Sequence, residues 1–444
     1  MTACTNPWNP HATLLLLFHL LSLAACDSSS TTADAAPRDA DRVDSGGVDA
    51  GPPDAAPADA GSSCARLCAC SDHNEPSVFE LQLIEMPADS WYEAPGTAMR
   101  EVCVPDSVGV RGVVGCEAVI SAWSGGAYDS THHRMWIWGG GHNDYWGNEL
   151  YAFNLRTGRW SRETEPSEIP AGGDPAAFLN RDPLPDGRPA ARHTYDGLEY
   201  LPDRGALFAH GGSRALDGNA TARTWFFDDA GWRMGADGPG GYALASAYDA
   251  EGHQLFVHAA EAFFRYDLDA DAWSPLPGFD VAPLWPRYAV SGDKTGAIDS
   301  RRRLYWSVGS GQFFVWDIAR SEVVTDAWIS TGGSTYSNAE QVRDYPDQRV
   351  ESGGGNVFDA PAPGFAYDSA ADAFVAWPNA GAPWILDLTS LRWSMGSAEG
   401  APTSHASGGT YGRWRYLPEY NVFILVNAVD ENVWFYKHTA GCGR

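Results

Sequence analysis

Two short polar segments of the sequence combine histidine and tyrosine with amide and cationic side chains. Residues 141–146 read Gly-His-Asn-Asp-Tyr-Trp, and residues 191–195 read Ala-Arg-His-Thr-Tyr. Abstraction of a proton beside a carboxylate, as in uronate elimination, needs a tyrosine or histidine base, a cation or amide that holds the carboxylate, and an acid for the leaving oxygen. We therefore predict Tyr195 or His193 as the base. The groups that would hold the uronate are His142, Asn143 and Arg214.

A second group of polar and aromatic residues is predicted to bind the ligand. Trp146 and Trp414 are expected to stack on it, because the repeat described below does not require a tryptophan at either position. The predicted ligand-binding set is Asn143, Tyr145, Trp146, His405, Arg413, Trp414 and Arg415. A structural role is the alternative: the polar residues at 143 and 144 would cap a turn, and His193 and Tyr195 would pack between neighbouring sheets.

No cofactor is predicted from the sequence. A zinc or calcium ion held by His142, His193 and His210 is an open alternative, although their spacing matches no metal motif. A glycoside hydrolase would need two carboxylates about 5 to 9.5 Å apart. The chain has too many acids, Asp144 and Glu149 among them, for the sequence to select such a pair.

The elements that must position these residues come from a repeat of roughly 50 residues, the length of a propeller blade of about four strands. Each copy begins with a turn such as Ala-Tyr-Asp or Tyr-Leu-Pro, continues with an apolar strand, a loop and an aromatic strand, and ends with a tryptophan after a second turn. The copies begin at Ala127, Tyr200, Ala247, Ala297, Ala366 and Tyr416. The sequence therefore predicts an all-β propeller with six blades, or seven if residues 328–365 hide another.

Two copies carry consecutive glycines after their second strand, at residues 139–141 and 211–212. Glycine there lets one backbone approach another without an intervening side chain. With the repeat over residues 119–437, these glycines resemble the kelch family and are similar to the propeller domain of galactose oxidase. The resemblance implies a kelch-type propeller. A copper radical site is not expected, since it needs a cysteine joined to a tyrosine, and no cysteine lies between Cys116 and Cys442.

The sixth copy stops near Tyr436 without its final turn and tryptophan, whereas residues 78–94 contain a strand-like piece with Ser-Trp-Tyr at 90–92. We predict that this N-terminal strand pairs with the last blade and closes the ring, which would remove exposed sheet edges. In an antiparallel four-stranded blade, the loop between strands two and three lies on the same face as the link to the next blade. Most candidate residues fall on that face, so we take it as the functional one.

Residues 1–25 are predicted to be a lipoprotein signal peptide. The apolar stretch 14–25 is shorter than the roughly 20 residues that span a bilayer. Leu23-Ala24-Ala25-Cys26 resembles a bacterial lipobox, which implies lipidation of Cys26. Residues 26–63 are rich in Asp, Ala and Pro and predict a disordered tether, followed by the propeller at 64–444. The implied location is the bacterial cell envelope, where the protein would be anchored to a membrane by its lipid and would be periplasmic or surface-exposed. The alternative is an ordinary cleaved signal peptide without a lipid anchor.

Cysteine use and charge agree with an extracytoplasmic location. The predicted folded region has six cysteines, Cys64, Cys68, Cys70, Cys103, Cys116 and Cys442. An even number in an oxidising compartment predicts three disulfides, with a metal site on the first three cysteines as the alternative. The chain carries 57 acidic and 30 basic residues, a formal net charge of -27, without any Lys/Arg-rich run. Such a surface repels phosphate backbones, so nucleic acid is not expected as a partner.

Together these features predict an extracytoplasmic propeller that recognises an external ligand on its loop-rich face. A polysaccharide is the leading hypothesis for that ligand. A polysaccharide lyase that uses the same face is the alternative, and a protein-docking module of the envelope is the second alternative. Whether the chain is an enzyme is left open by its sequence.

Overall fold

In the computed structural model, the aspartate of the repeated turn caps the hairpin between the first two strands of a sheet. The Asp129 carboxylate accepts hydrogen bonds from the N–H groups of Thr131 and His132, at 3.0 and 2.9 Å. Asp299 and Asp368 bind the N–H groups two and three positions further on in the same way. This local capping satisfies donors that a turn leaves unpaired, so copies of the repeat begin β-hairpins.

The structure describes residues 75–242, 244–259, 263–276, 293–310, 312–328, 357, 360–390 and 392–441. The strands in chain order are β1 (Ser90–Ala94), β2 (Gly126–Asp129), β3 (Arg134–Ile137), β4 (Tyr151–Asn154), β5 (Arg159–Arg162), β6 (Arg192–His193), β7 (Leu198–Leu201), β8 (Ala206–His210), β9 (Ser213–Arg214), β10 (Thr224–Asp228), β11 (Gly231–Met234), β12 (Ala245–Asp249), β13 (Gln254–His258), β14 (Phe263–Asp267), β15 (Ala272–Pro275), β16 (Thr295–Asp299), β17 (Leu304–Gly309), β18 (Gln312–Asp317), β19 (Glu322–Trp328), β20 (Gly364–Asp368), β21 (Ala373–Trp377), β22 (Trp384–Asp387), β23 (Arg392–Met395), β24 (Trp414–Leu417), β25 (Val422–Leu425) and β26 (Val433–Lys437).

These strands form six four-stranded antiparallel sheets and one two-stranded sheet. The six blades are β2-β3-β4-β5, β7-β8-β10-β11, β12 to β15, β16 to β19, β20 to β23, and β24-β25-β26-β1, and β6 pairs with β9. The first strands of the blades, β2, β7, β12, β16, β20 and β24, lie beside one another in cyclic order. They are the inner strands around a central channel, and the prediction of an all-β propeller with six blades is confirmed.

Aromatic side chains fill the gaps between adjacent blades. Trp136 of the first blade meets Phe227 of the second edge-on, with ring centroids 5.7 Å apart. Trp306 of the fourth blade lies 4.9 Å from Phe374 of the fifth. Large rings bury much apolar surface at little cost in side-chain freedom, which explains why a chain rich in tryptophan, tyrosine and phenylalanine stacks its sheets this way.

The N-terminal segment supplies the outer strand of the last blade. β1 pairs antiparallel with β26, from Ser90 opposite Lys437 to Ala94 opposite Val433. The Trp91 ring lies 5.1 Å from that of Tyr436, and its indole N–H donates to the carbonyl of Ser397. The predicted pairing with the last blade is therefore present, whereas the role of this strand in closing the ring stays a prediction.

Helices are few and short among the described residues. They are α1 (Val78–Ile84), α2 (Ala118–Ser121) and α3 (Pro175–Leu179), with 3-10 turns at Met99–Val102, Asp106–Val108 and Tyr411–Arg413. In the part of the chain that the structure describes, no helix is long and apolar enough to cross a membrane. One disulfide joins Cys103 to Cys116. The signal peptide, the lipidation site Cys26, the tether and the other four cysteines lie outside the described residues.

Candidate functional site

The links between blades meet at one end of the central channel. An aromatic residue lies three positions before the inner strand of four blades. These residues are Trp123 before β2, Tyr195 before β7, Tyr242 before β12 and Tyr411 before β24. Four blades thus carry an aromatic residue at an equivalent position. With two neighbours, His193 and Asp293, these four residues are called the channel mouth below.

Three of the aromatic residues of the channel mouth have a left-handed backbone. The φ angles of Trp123, Tyr195 and Tyr411 are 46°, 50° and 51°, a region that bulky residues rarely adopt. Hydrogen bonds between blades hold two of them: the Tyr195 N–H donates to the Trp123 carbonyl at 2.6 Å, and the Tyr411 N–H donates to that of Ala362 at 3.2 Å. Strained backbone is concentrated at binding and catalytic sites, so this end of the channel is the candidate site.

The rings form a continuous path across the mouth. Trp123 stacks on His193, with ring centroids 5.2 Å apart and an interplanar angle of 29°. His193 in turn meets Tyr195 edge-on at 6.1 Å, and Tyr195 meets Tyr411 edge-on at 5.9 Å. His142 lies 5.5 Å from His193 on the other side. The exposed part of this path is the Trp123 ring, because His193, Tyr195 and Tyr411 are buried.

His193 is held by a carboxylate. Its Nε2 lies 3.0 Å from Oδ2 of Asp144, and the imidazole is almost completely buried, with 2% of the residue exposed. Burial lowers the pKa of His193, although the hydrogen bond and charge of Asp144 oppose that shift. With Nε2 donating to the carboxylate of Asp144, the neutral ring keeps its lone pair on Nδ1. Among the described residues, Nδ1 has no hydrogen-bond partner and is available to a ligand.

The two central tyrosines differ in what their hydroxyls bind. Tyr411 is fully buried and donates to Oδ1 of Asp293 at 2.7 Å. Tyr195 is nine-tenths buried, and no described residue pairs with its hydroxyl. Burial, reinforced by the charge of Asp293, raises the pKa of Tyr195. The Tyr195 hydroxyl therefore stays protonated at neutral pH and can donate to or accept from a ligand.

The predicted double glycines explain how His193 reaches this position. β6, which ends at His193, pairs with β9 and crosses close to two glycine backbones. A Cβ on Gly141 would lie 2.4 Å from the Arg192 Cα, and one on Gly212 would lie 2.3 Å from the His193 carbonyl oxygen. Neither distance is possible for a side chain, so both glycines are needed for β6 to lie where it does.

A buried ion pair fixes the insertion that precedes β6. Nη2 of Arg192 donates to both carboxylate oxygens of Asp182, Oδ1 at 2.9 Å and Oδ2 at 2.8 Å. Both side chains are almost fully buried. Thr221 donates to the same carboxylate at 2.9 Å. The insertion is therefore attached firmly to the second blade, and it holds His193 and Tyr195 on a rigid support.

The structure brings the first predicted segment next to the second. His142 is exposed and has a φ of 41°, and its ring packs on Gly218. Asn143 accepts the indole N–H of Trp146 at 3.1 Å, an arrangement in which both side chains support the loop. Tyr145 is buried and donates to Glu149 at 2.6 Å. Of these four residues, His142 is the one whose side chain reaches the His193 ring.

Arg214 and His405 are not part of the path of rings described above. Arg214 donates to the carbonyl of Asn180 at 2.9 Å and to Asp217 at 2.8 Å, so much of its charge is already compensated. His405 is exposed on the link before β24, and partial desolvation of its ring lowers its pKa. No ring contact joins either side chain to the channel mouth among the described residues.

The three remaining predicted ligand-binding residues are buried in the scaffold. Arg413 is fully buried and donates to the carbonyls of Ser124 and Val426, at 2.8 and 2.5 Å. Trp414 is also fully buried and stacks on Phe423 at 5.0 Å. Arg415 points into the channel, where it donates to Glu199 and to carbonyls of two other inner-strand segments. These contacts are structural, and we leave the three residues out of the candidate site.

Sequence reasoning missed Trp123, Tyr242, Asp293 and Tyr411. The available signal was their position in the repeat, because three of them stand three residues before an inner strand. The strands and closing tryptophans define the repeat, whereas the links between blades differ in length and sequence.

No metal centre is found in the described part of the chain. It contains no group of three or more His, Cys, Asp or Glu side chains that could hold a metal ion. His142 and His193 are neighbours, but His210 stacks on Trp273 at 4.3 Å and contacts the Thr224 hydroxyl with Nδ1. The three histidines of the zinc or calcium alternative therefore do not form one cluster.

Comparison with known proteins adds little to this geometry. No family model matches the chain, and no curated protein matches it. A crystal structure of a structural genomics protein of unknown function from Bacteroides thetaiotaomicron is similar to it at 8% sequence identity and a TM-score of 0.46. That similarity covers 78% of this chain and 76% of the other.

Proposed function

We propose that this chain is a lipid-anchored, extracytoplasmic, kelch-type propeller that binds a polysaccharide at the channel mouth. The observation that carries the proposal is the set of aromatic residues at equivalent positions of four blades, Trp123, Tyr195, Tyr242 and Tyr411. Two of them are strongly exposed, Trp123 at 40% and Tyr242 at 47%. Among the residues whose burial is described, Trp123 is the only exposed tryptophan.

A sugar chain matches this combination of groups. The faces of a pyranose ring carry C–H bonds that pack on aromatic rings, while its hydroxyls need polar partners at the edges. Trp123 offers a ring whose other side is supported by His193. The Tyr195 hydroxyl and His193 Nδ1 are polar atoms without partners among the described residues, and the carboxylates of Asp144 and Asp293 lie beside them.

The proposed location rests on the N-terminal sequence and on one disulfide bond. The lipobox at residues 23–26 and the aspartate-rich tether support a lipid anchor at Cys26. The disulfide between Cys103 and Cys116 supports an oxidising compartment. Globomycin, which blocks cleavage of lipoprotein precursors, and labelling with a radioactive fatty acid test the anchor. Cys26→Ser is expected to remove the label, and labelling of that variant would contradict the anchor.

The binding function is tested by calorimetry with neutral, basic and uronate oligosaccharides. We expect binding of at least one oligosaccharide by the unaltered protein. Trp123→Ala is expected to weaken that binding at least tenfold, because it removes the exposed ring. Met395→Ala is the control, since Met395 is 56% exposed on the fifth blade and lies on an outer strand. Equal loss in both variants, or no binding by any oligosaccharide, would contradict the proposal; the latter favours a protein-docking module.

A polysaccharide lyase is the second candidate, and the pair of His193 and Asp144 favours it. A neutral imidazole that is oriented by a carboxylate, and whose Nδ1 no described residue binds, is a suitable general base. Tyr195 is the weaker candidate for that role, because burial and Asp293 raise its pKa. Incubation with uronate polymers while recording ultraviolet absorbance tests elimination. His193→Gln is expected to abolish any absorbance increase, and a flat trace for the unaltered protein with every polymer would exclude the lyase.

A further inference from the structure

Among the described residues, two carboxylates lie next to the rings of the channel mouth. Asp293 accepts the Tyr411 hydroxyl at 2.7 Å. Asp144 holds His193 at 3.0 Å, and 29% of its side chain is exposed. A ligand at the mouth would therefore face the carboxylates of Asp144 and Asp293.

Three basic residues in the described part of the chain near the mouth have their charges compensated or buried. Arg415 donates to Glu199 at 3.1 Å and lies 4.0 Å from Asp196. Arg413 binds backbone carbonyls and has no exposed surface. Lys294 follows Asp293, but it is completely buried, and burial lowers its pKa to about 7. None of these three presents an exposed cation to the rings.

The pKa values of Tyr195 and Tyr411 are both affected by the charge of Asp293. The charges that raise the pKa of Tyr195 are those of Asp293 and Tyr242, after burial itself. The pKa of Tyr411 is likewise raised by burial first and then by Asp293, Tyr195 and Asp196. The faces of the aromatic rings are themselves negative and attract cations.

We propose that the ligand is a polysaccharide with free ammonium groups, such as a glucosamine polymer, and that one ammonium lies at the Tyr195 hydroxyl with Asp293 as its counter-charge. This inference rests on the proposed function and narrows it to basic sugars. The unpartnered Tyr195 hydroxyl, nine-tenths buried, would accept a hydrogen bond from the ammonium or from a neighbouring sugar hydroxyl. Uronate polymers would be repelled by the same carboxylates, which makes elimination of a uronate the less favoured activity of the site.

Two oligosaccharides that differ in one group test the charge preference on the unaltered protein. Hexamers of β-1,4-linked glucosamine and of β-1,4-linked N-acetylglucosamine have the same backbone, and only the first carries ammonium groups. Calorimetry at physiological salt is expected to show at least tenfold tighter binding of the glucosamine hexamer. Equal or tighter binding of the acetylated hexamer, or of another neutral oligosaccharide, would overturn this inference and leave the proposed function standing. Absence of all oligosaccharide binding would overturn both.

Variants distinguish the mouth from the acidic remainder of the chain. Asp293→Asn is expected to weaken glucosamine binding about tenfold and to leave neutral-sugar binding nearly unchanged. Asp269→Asn removes one charge from an 82% exposed side chain at the turn between β14 and β15, and no change is expected. Trp123→Ala keeps the net charge and is expected to lose binding. Retained binding in Trp123→Ala, or equal weakening by both aspartate variants, would show non-specific attraction and overturn the inference.

Discussion

Arg413 connects the last blade to the segment before the first, and its removal should be costly. The guanidinium is fully buried and donates to the carbonyls of Ser124, Val426 and Gly409. In Arg413→Met these three acceptors lose their donor, at about 1 to 3 kcal/mol each, and the losses are not additive. We take about 4 kcal/mol as the expected decrease in the free energy of unfolding, within the range for breaking a buried charged contact.

That decrease corresponds to a measurable shift of the melting temperature. The unfolding entropy is about 2.1 cal/mol/K per residue, or about 0.8 kcal/mol/K for the roughly 370 residues between 75 and 441. A loss of about 4 kcal/mol should therefore lower the melting temperature by about 5 °C. Arg301→Met is the matched control, because Arg301 is 58% exposed and its bond to Asp372 lies at the surface; a shift below about 1 °C is expected.

Scanning fluorimetry and urea unfolding would measure both variants, and calorimetry would measure oligosaccharide binding below the melting transition. The folded Arg413→Met protein should bind as the unaltered protein does, whereas Trp123→Ala should keep its melting temperature and lose binding. A melting temperature for Arg413→Met within 1 °C of the unaltered protein would refute the structural role. So would a selective loss of binding in that variant at unchanged stability, because it would place Arg413 in the ligand site as the sequence predicted.

Three further predictions concern stability. Burial lowers the pKa of His210 to about 3 from its ordinary 6.5, so the unfolded chain takes up the proton first as pH falls below 6.5. Between pH 7 and pH 5 the free energy of unfolding should therefore fall by about 2 kcal/mol more in the unaltered protein than in His210→Asn. Urea unfolding at the two pH values measures this difference. Trp91→Ala should lower the free energy of unfolding by about 3 kcal/mol, and an unchanged urea midpoint would mean that β1 does not stabilise the ring. Reduction of the Cys103–Cys116 disulfide should lower that energy by about 3 kcal/mol, which melting with and without reductant measures.

The architecture could be predicted from the sequence because its signals act over a few residues. The carboxylate of Asp129 binds N–H groups two and three positions away, and Asp368 does the same after Tyr367, so the Tyr-Asp turn of the repeat marks a hairpin. The strand missing from the sixth copy was likewise visible as a gap, and β1 lies where that gap is. Repetition then multiplied weak local signals into a fold with six blades.

The site was less predictable because its contacts join distant parts of the chain. His142 and His193 were expected together, and their rings are 5.5 Å apart. Arg413 and Trp414 were assigned to the ligand because they are polar or aromatic residues on a link, yet both are fully buried. Whether an arginine on that link faces solvent or the carbonyl of Ser124 depends on how the last blade meets the first. No spacing within one blade contains that information.

Left-handed backbone occurs at two kinds of position in this propeller. At hairpin turns the positive φ angles belong to the residue directly before the second strand of a blade, whatever its type, as at His133, Arg303 and Asp372. At the channel mouth they belong to Trp123, Tyr195 and Tyr411, bulky residues that lie in links between blades and not in hairpin turns. Glycine would be the less strained choice at these three positions, so turn geometry alone does not account for the rings. Their conformation aims large side chains across the channel, which is the property that a ligand-binding surface requires and a turn does not.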